Sequence, residues 1–400
     1  MNLHLFEAFG IEAEYMTVDK ENLSIQPLAD AILAYFNSGK ITNEIALNSL
    51  AISNEIVKHV IELKTNGPKK SLEGLDQEFY KIIIKINQFL NDYNATLLST
   101  AMHPWMNPQT DTYLWEYGNR EIYEAYDKIF DCKGHGWSNL QSVHINLPFF
   151  DDSEFVKLHQ SIRIILPLIP ALSASSPFVE GNIQLLDSRL FYYENNQKKI
   201  PSITGKVIPE SISSIEDYYN KILYPMYKDI EPYDPEGILQ EEWLNSRGAI
   251  ARFERYAIEI RLMDIQESPL MDFTLILLWV NLIQYLLQQN LFYDFDTEDL
   301  YKIYQEAIRY GIETLLPKDY LKIWNINKTE LSIKDFIKLI LEKIDYPHEY
   351  LFYLGIILNH GNLSQRILKR YQSMKENSTK KILQIYQNMA ECLANNHYFL

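Results

Sequence analysis

Gly10-Ile11-Glu12-Ala13-Glu14-Tyr15-Met16 decides how this chain is read. Written as a β-strand, it sets Ile11, Ala13 and Tyr15 on one side and Glu12 and Glu14 on the other, because successive side chains point to opposite faces. Two carboxylates side by side repel, and each raises the pKa of the other unless a cation or basic group stands between them. A half-exposed strand with a wet outer face accounts for such a pattern on its own. It gains weight because the same setting recurs along the chain.

Residues 55–65 are β-branched and end at Asn66-Gly67-Pro68, a strong stop. Glu55 and Glu62 differ by seven, an odd number, so both reach one site only if a bulge or turn intervenes. Residues 141–147 form a strand in which His144 and Asn146 share a face, opposite Val143 and Ile145. Residues 255–264 repeat the pattern: Ile258, Ile260 and Leu262 on one side, Arg255, Glu259 and Arg261 on the other.

Helical spacing fills the gaps. It predicts a short helix over 27–36 and an amphipathic one over 71–93, with Leu72, Leu75, Phe79, Ile82, Ile83, Ile86 and Leu90 on one face. Further helices are expected over 120–130, over 154–173 with Pro167 and Pro170 to kink or end it, and over 214–227. Residues 95–102 read as a strand closed by His103-Pro104, and 187–193 as a strand or sheet edge. Residues 194–209, with Lys198, Lys199 and Lys206, read as a loop over a site. From Pro269 apolar residues recur at three and four, with Pro317 and Pro347 at joints. The expected fold is α+β: a mainly antiparallel sheet with flanking helices over 1–268, and a helical region over 269–400 packed on it.

Composition narrows the function. The 400 residues suit one large catalytic domain or two smaller units, and 47% hydrophobic content supplies a substantial core. A net charge of −16 argues against nucleic acid as a partner. An acidic enzyme still binds ATP where metal ions bridge its carboxylates to the phosphates. Two distant cysteines, Cys132 and Cys392, exclude a disulfide framework and a cysteine zinc site, and suit a reducing cytoplasm. No basic, then apolar, leader opens the chain. The most apolar segment, 273–292, is broken by Asn281, Gln284, Gln288 and Gln289 and reads as a buried helix rather than a membrane span. Assembly into a homo-oligomer is left open.

No P-loop, dinucleotide fingerprint, Gly-x-Ser-x-Gly elbow or His-Glu-x-x-His is present. What remains is a set of strand-borne polar groups among apolar neighbours: Glu12, Glu14, Glu62, His144, Asn146, Glu259 and Arg261. Singly, each has an ordinary explanation: a core histidine, a surface ion pair, a turn residue at His103. Jointly, glutamates and a histidine from separate strands are costly in one cleft unless divalent cations compensate them. Oxygen ligands suit Mg²⁺ or Mn²⁺, and Arg189, Arg255 and Arg261 suit carboxylate or phosphate oxygens.

In that order along the chain, Gly-x-Glu-x-Glu, Asn54-Glu55 with Val60-Ile61-Glu62-Leu63-Lys64-Thr65, Met102-His103-Pro104-Trp105, Ser142-Val143-His144-Ile145-Asn146, Asp187-Ser188-Arg189 and Ile258-Glu259-Ile260-Arg261 resemble the glutamate–cysteine ligase family, among the glutamine synthetase-like carboxylate–amine ligases. The resemblance spans roughly residues 5–268. It implies a sheet curved into a funnel, with ATP entering one end and an amino acid the other. Glu12, Glu14, Glu55, Glu62, His144 and Glu259 match positions that hold two or three Mg²⁺ ions. Arg261 matches a phosphate contact and Arg189 a substrate-carboxylate contact, while Arg255, His103, Asn146 and Lys206 fall among the expected substrate or nucleotide contacts. Asn146 replaces a second histidine of some relatives, and Lys198-Lys199 lacks an arginine seen in others. The implied reaction is ATP-dependent: Glu62, Glu259 and Arg261 assist phosphorylation of a carboxylate, that of glutamate, and an amine such as cysteine then attacks. The competing readings are a guanidino kinase-like phosphotransferase and a non-catalytic metabolite-binding relative.

Overall fold

The computed structural model describes residues 3–289 and 295–400. Its centre is an open eight-stranded sheet in which every strand pair is antiparallel. The strands are β1 (Gly10–Asp19), β2 (Glu44–Leu47), β3 (Leu50–Asn54), β4 (Val60–Thr65), β5 (Ala95–Leu98), β6 (Ser142–Pro148), β7 (Ala249–Arg252) and β8 (Ala257–Asp264). They lie in the order β2-β3-β4-β1-β6-β8-β7, with β5 added to the far end of β1. The Gly-x-Glu-x-Glu strand is therefore central. The fold is α+β.

The apolar face of β1 packs as its alternation requires: Ile11, Ala13 and Tyr15 are buried in the main core. In the same core lies α1 (Leu75–Leu90), which packs on β5 and buries Leu75, Phe79, Ile82, Ile83, Ile86 and Leu90 at helical spacing. Each fully buried side chain of this size contributes about 1.5–3 kcal/mol. Behind the sheet, α2 (Asp152–Ile165) starts on Asp151, whose carboxylate accepts from the Glu154 N–H at 2.9 Å. The two prolines act as expected: a 3₁₀ turn at Leu166–Leu168 separates α2 from a short helix over Ile169–Ser173.

Among the described residues the region from Pro269 is mostly helical, with one small hairpin pairing Leu315–Pro317 with Glu330–Ser332. Its first helix, Pro269–Gln288, packs against both α1 and α2, so sheet and helices share one core. The last residues of the expected apolar segment, 290–292, lie outside the described residues. Among the described residues two stretches, Asp152–Ser173 and Pro269–Gln288, are long and apolar enough to cross a membrane, but 83% and 78% of their most apolar windows are buried inside the fold.

Two local expectations are corrected. Residues 187–193 are not a strand: Ser188–Asn195 is a helix, α3, whose N-cap Asp187 accepts from the Leu190 N–H at 2.9 Å. An aspartate followed by Ser-Arg-Leu is an N-cap signal, and it overrides the β-prone Leu-Phe-Tyr-Tyr run. Residues 196–209 are no open loop over a site: they wind into successive turns that bury Ile200, Ile203, Val207 and Ile208, and Asn196 and Gln197 at their start line the cleft described below.

Candidate active site

Strand register brings the acidic residues together. In β1 and β4, Glu14 stands opposite Glu62 and Glu12 opposite Lys64; in β1 and β6, Glu12 stands opposite His144 and Gly10 opposite Asn146. Asn146 in turn stands opposite Glu259 of β8, and Ser53 of β3 opposite Glu62. Directly opposed side chains project from one face, so five strands deliver a diagonal band of polar groups. Gly10 leaves room for Asn146: a Cβ there would lie 3.0 Å from the Asn146 Cβ, and that side chain would have to give by a few tenths of an ångström. The pairing of β6 with β8 slips between Ile260 and Met263, and Arg261 sits at that bulge, whose kink re-aims side chains.

Glu55 joins the band from outside any strand. β3 ends at Asn54 and β4 begins at Val60, so a turn separates Glu55 from Glu62 and undoes the odd spacing.

The band lines a cleft of about 380 Å³ that also takes in Arg189, Arg252, Arg255 and Arg261. One wall is aromatic: Tyr126 lies 5.1 Å from Trp137 and 5.9 Å from Trp243, ring centre to ring centre. A second, more apolar pocket of about 360 Å³, with Ala8, Phe9, Pro68, Asn146 and Pro148 on its walls, adjoins it and shares Glu12, Lys64 and Arg255.

Charge is packed tightly here. His144 Nδ1 lies 3.2 Å from Glu12 and 3.5 Å from Glu259, and its Nε2 lies 3.0 Å from the Ser142 hydroxyl. Burial opposes the charged ring, but the Glu12 bond and the charges of Glu259 and Glu14 outweigh it and raise the His144 pKa. Glu259 is clasped by Arg261 and by Arg252, the latter at 3.0 Å; burial works against its charge, yet the arginines hold its carboxyl far below the usual range. Glu14 accepts from the Ser142 N–H at 2.7 Å. Glu62 accepts from the Ser53 hydroxyl at 2.8 Å and lies 3.0 Å from Lys64, but burial and the Glu12 charge push it up to about 7. Burial, then Glu14 and Glu62, raise Glu55 well above an ordinary carboxyl.

Two trios offer ligand atoms within 4.8 Å of one another: Glu12, Glu62 and His144, and Glu14, Glu55 and Glu62. Carboxyls forced upward by burial and by neighbouring carboxylates, as Glu55 and Glu62 are, are what bound divalent cations relieve, and the donor set of oxygens with one imidazole fits Mg²⁺ or Mn²⁺.

Of the residues expected from sequence, Glu12, Glu14, Glu55, Glu62, His144, Arg189, Arg255, Glu259 and Arg261 all line the cleft, and Asn146 lines the adjoining pocket. Two do not come to it. His103 is buried, with Nε2 2.7 Å from the Leu23 carbonyl, and burial drives its pKa down to about 4. Lys206 is half-exposed and paired with Glu298, beside the Tyr301 ring. Arg255 belongs to a turn, Phe253–Arg255, rather than to the strand that follows. Arg189 is largely committed inside the protein: Nε donates to Asp264 and Nη2 to the Leu262 carbonyl at 2.7 Å. Sequence reasoning missed Arg252, Lys64 and the aromatic wall.

The model of glutamate-cysteine ligase family 2 matches residues 8–384. The chain belongs to this family. An uncharacterized protein of Archaeoglobus fulgidus is 33% identical over 392 residues, 98% of this chain and 100% of that one. A protein of Ruegeria pomeroyi named as a putative glutamate–cysteine ligase 2 is 24% identical over 212 residues, 52% of this chain and 49% of its own length. Among solved structures, glutamate–cysteine ligase from Francisella tularensis in complex with AMP superposes with a TM-score of 0.61 at 15% identity, over 98% of this chain and 90% of that one. A bifunctional glutathione synthetase from Pasteurella multocida gives 0.60 at 14% identity, over 96% of this chain and 53% of its own. At these identities the superpositions establish the shared fold.

Proposed function

We propose that this protein is an ATP-dependent carboxylate–amine ligase that activates the γ-carboxylate of glutamate as an acyl phosphate and joins it to an amine such as cysteine. The observation that carries the reading is the convergence of Glu12, Glu14, Glu55, Glu62 and His144, with ligand atoms of each trio within 4.8 Å, at the junction of two compartments. A carboxylate is a poor acylating agent, and phosphorylating it needs positioning and charge neutralisation more than a protein nucleophile.

The chain's own residues divide that work. Glu12, Glu14, Glu55, Glu62, His144 and Glu259 would hold two or three Mg²⁺ or Mn²⁺ ions, which supply positive charge to the nucleotide's phosphates when bound. Arg252 and Arg261, fixed by Glu259, present guanidinium groups to phosphate oxygens. Arg189, gripped by Asp264, turns its remaining edge to a substrate carboxylate. The thiols take no part: burial pushes Cys392 up to about 12 and Cys132 higher still, away from the reactive thiolate. Two unpaired thiols suit a cytoplasmic setting.

The test is phosphate release by purified protein with Mg-ATP, against a matrix of amino acids crossed with amines. The expected result is release that requires both an acid and an amine, and that stops when a chelator removes the metal. Release with a guanidino compound alone would replace the ligase by a phosphotransferase, and absence of Mg-ATP binding by calorimetry would leave a binding protein.

A further inference from the structure

The two compartments meet at Glu12, Lys64 and Arg255, the residues that line both. A group passing from a molecule in one to a molecule in the other crosses this boundary, so side chains there face the reacting atoms. Glu12 is occupied by His144 and by the Asn146 amide at 3.2 Å. Lys64 is the cation that the sheet itself places there. It stands opposite Glu12 in register and shares a face with Glu62, two residues before it. Its Nζ lies 3.0 Å from Glu62 and 2.8 Å from Glu44, and its side chain is 25% exposed.

An ammonium has three N–H donors, and two carboxylates engage two of them. Three arginines of the cleft are different: Arg252 and Arg261 converge on Glu259, and Arg189 on Asp264, each a rigid fork with a fixed partner. Arg255, the other boundary cation, stands on the turn Phe253–Arg255 and not on a strand of the sheet. A lysine on a rotatable four-carbon stem can follow a charge as it moves.

We propose that Lys64 is a catalytic residue of the ligase reaction put forward above, donating a hydrogen bond to the phosphoryl group as it passes from nucleotide to substrate carboxylate. In that step a carboxylate oxygen attacks the γ-phosphorus of ATP. The new O–P bond forms as the bond from that phosphorus to the β,γ-bridging oxygen breaks, and the electron pair leaves on ADP. No proton moves: Lys64 remains an ammonium, and its charge meets the negative charge on the oxygens in transit. Glu44, exposed on the edge strand β2, is a positioning residue that holds Nζ at the boundary.

The reading rests on the proposed activity, so the experiment separates the two. Positional isotope exchange in ATP labelled at the β,γ-bridge, with Mg²⁺ and the donor amino acid but no amine, reports reversible phosphoryl transfer alone. Calorimetry of Mg-ATP binding is run beside it for the wild type, Lys64→Met, Lys64→Arg and Glu44→Gln. Loss of one such donor predicts a fall in exchange of about 10²–10³-fold in Lys64→Met, with ATP affinity retained, part of the rate restored in Lys64→Arg, and a smaller fall in Glu44→Gln. Exchange at the wild-type rate in Lys64→Met overturns the proposal alone, as does a loss confined to ATP affinity. If Lys64→Met does not fold, unchanged exchange in both Lys64→Arg and Glu44→Gln overturns it. A wild type that neither exchanges label nor releases phosphate with any pair overturns the ligase reading, and this role with it.

Discussion

The end of β8 and its middle bury carboxylates in opposite ways. Beyond the middle, Asp264 meets Arg189, the Ser175 N–H at 2.8 Å and the Ser176 hydroxyl at 3.2 Å. Just past the strand, Glu267 meets Arg366 and the Phe399 N–H at 3.0 Å, which ties the C-terminal residues to the sheet. Burial raises the Asp264 pKa despite these donors and, with the Asp264 charge, raises that of Asp187 beside it. The Glu267 group, by contrast, is closed: Arg366 opposes its charge and a neutral donor completes the set. In the cleft around Glu259, carboxylates crowd one another instead. Among the described residues no hydrogen bond reaches the Glu55 carboxylate, and Glu55 and Glu62 are both forced upward. A satisfied buried network rigidifies, whereas an unsatisfied one in an open cleft marks a place for a ligand.

That contrast breaks most violently at the closed end. Arg366→Met leaves Glu267 charged and unpaired in a buried site, so unfolding free energy should fall by about 3–5 kcal/mol. Adding Glu267→Gln should return part of it, because the pair then becomes neutral together; chemical denaturation of the single and double variants reads both. If the single variant unfolds like wild type, Arg366 is not the support that its geometry makes it.

The open end should lose chemistry while keeping its fold. Glu14→Gln is the cleaner variant there, since the amide oxygen can still accept from Ser142, whereas Glu259→Gln also strips two arginines of their partner. Turnover should drop about 10²–10³-fold with the melting temperature nearly unchanged. Full turnover in Glu14→Gln would remove this residue from the site.

How far the site could be read in advance follows from the same physics. Alternation with period two put Glu12 with Glu14, His144 with Asn146 and Glu259 with Arg261 on shared faces, because a strand allows nothing else. It could say nothing of which strands are neighbours, and so Lys64, placed by pairing with Glu12, and Arg252, placed by the β7–β8 hairpin, went unnoticed. The Asp187 cap was legible, but a β-prone run concealed the helix behind it. His103 and Lys206 were misplaced because burial depends on what covers a turn, and a turn's own residues do not encode that.

His159 supplies the smallest test, and it sharpens the rule that matched burial is structural. It lies on α2 between Phe155 and Tyr218, with both ring nitrogens lacking a hydrogen-bond partner among the described residues. Burial, then the charges of Arg163 and Arg247, drive its pKa down to about 3. The unfolded chain takes up this proton near pH 6.5 and the native one only near 3, so below 6.5 the unfolded state binds more protons and is favoured. Stability is therefore lost as pH falls from about 6.5, by roughly 2 kcal/mol at pH 5 from this residue, and the loss ends near pH 3. His59 and His103, each driven by burial to about 4, add slopes of the same sign that His159→Phe leaves in place. Denaturation midpoints at pH 7 and pH 5 should thus differ less in His159→Phe than in wild type, with turnover at neutral pH unaffected. Parallel pH curves would mean that the imidazole finds a partner when it charges, and that this pocket belongs with the open network.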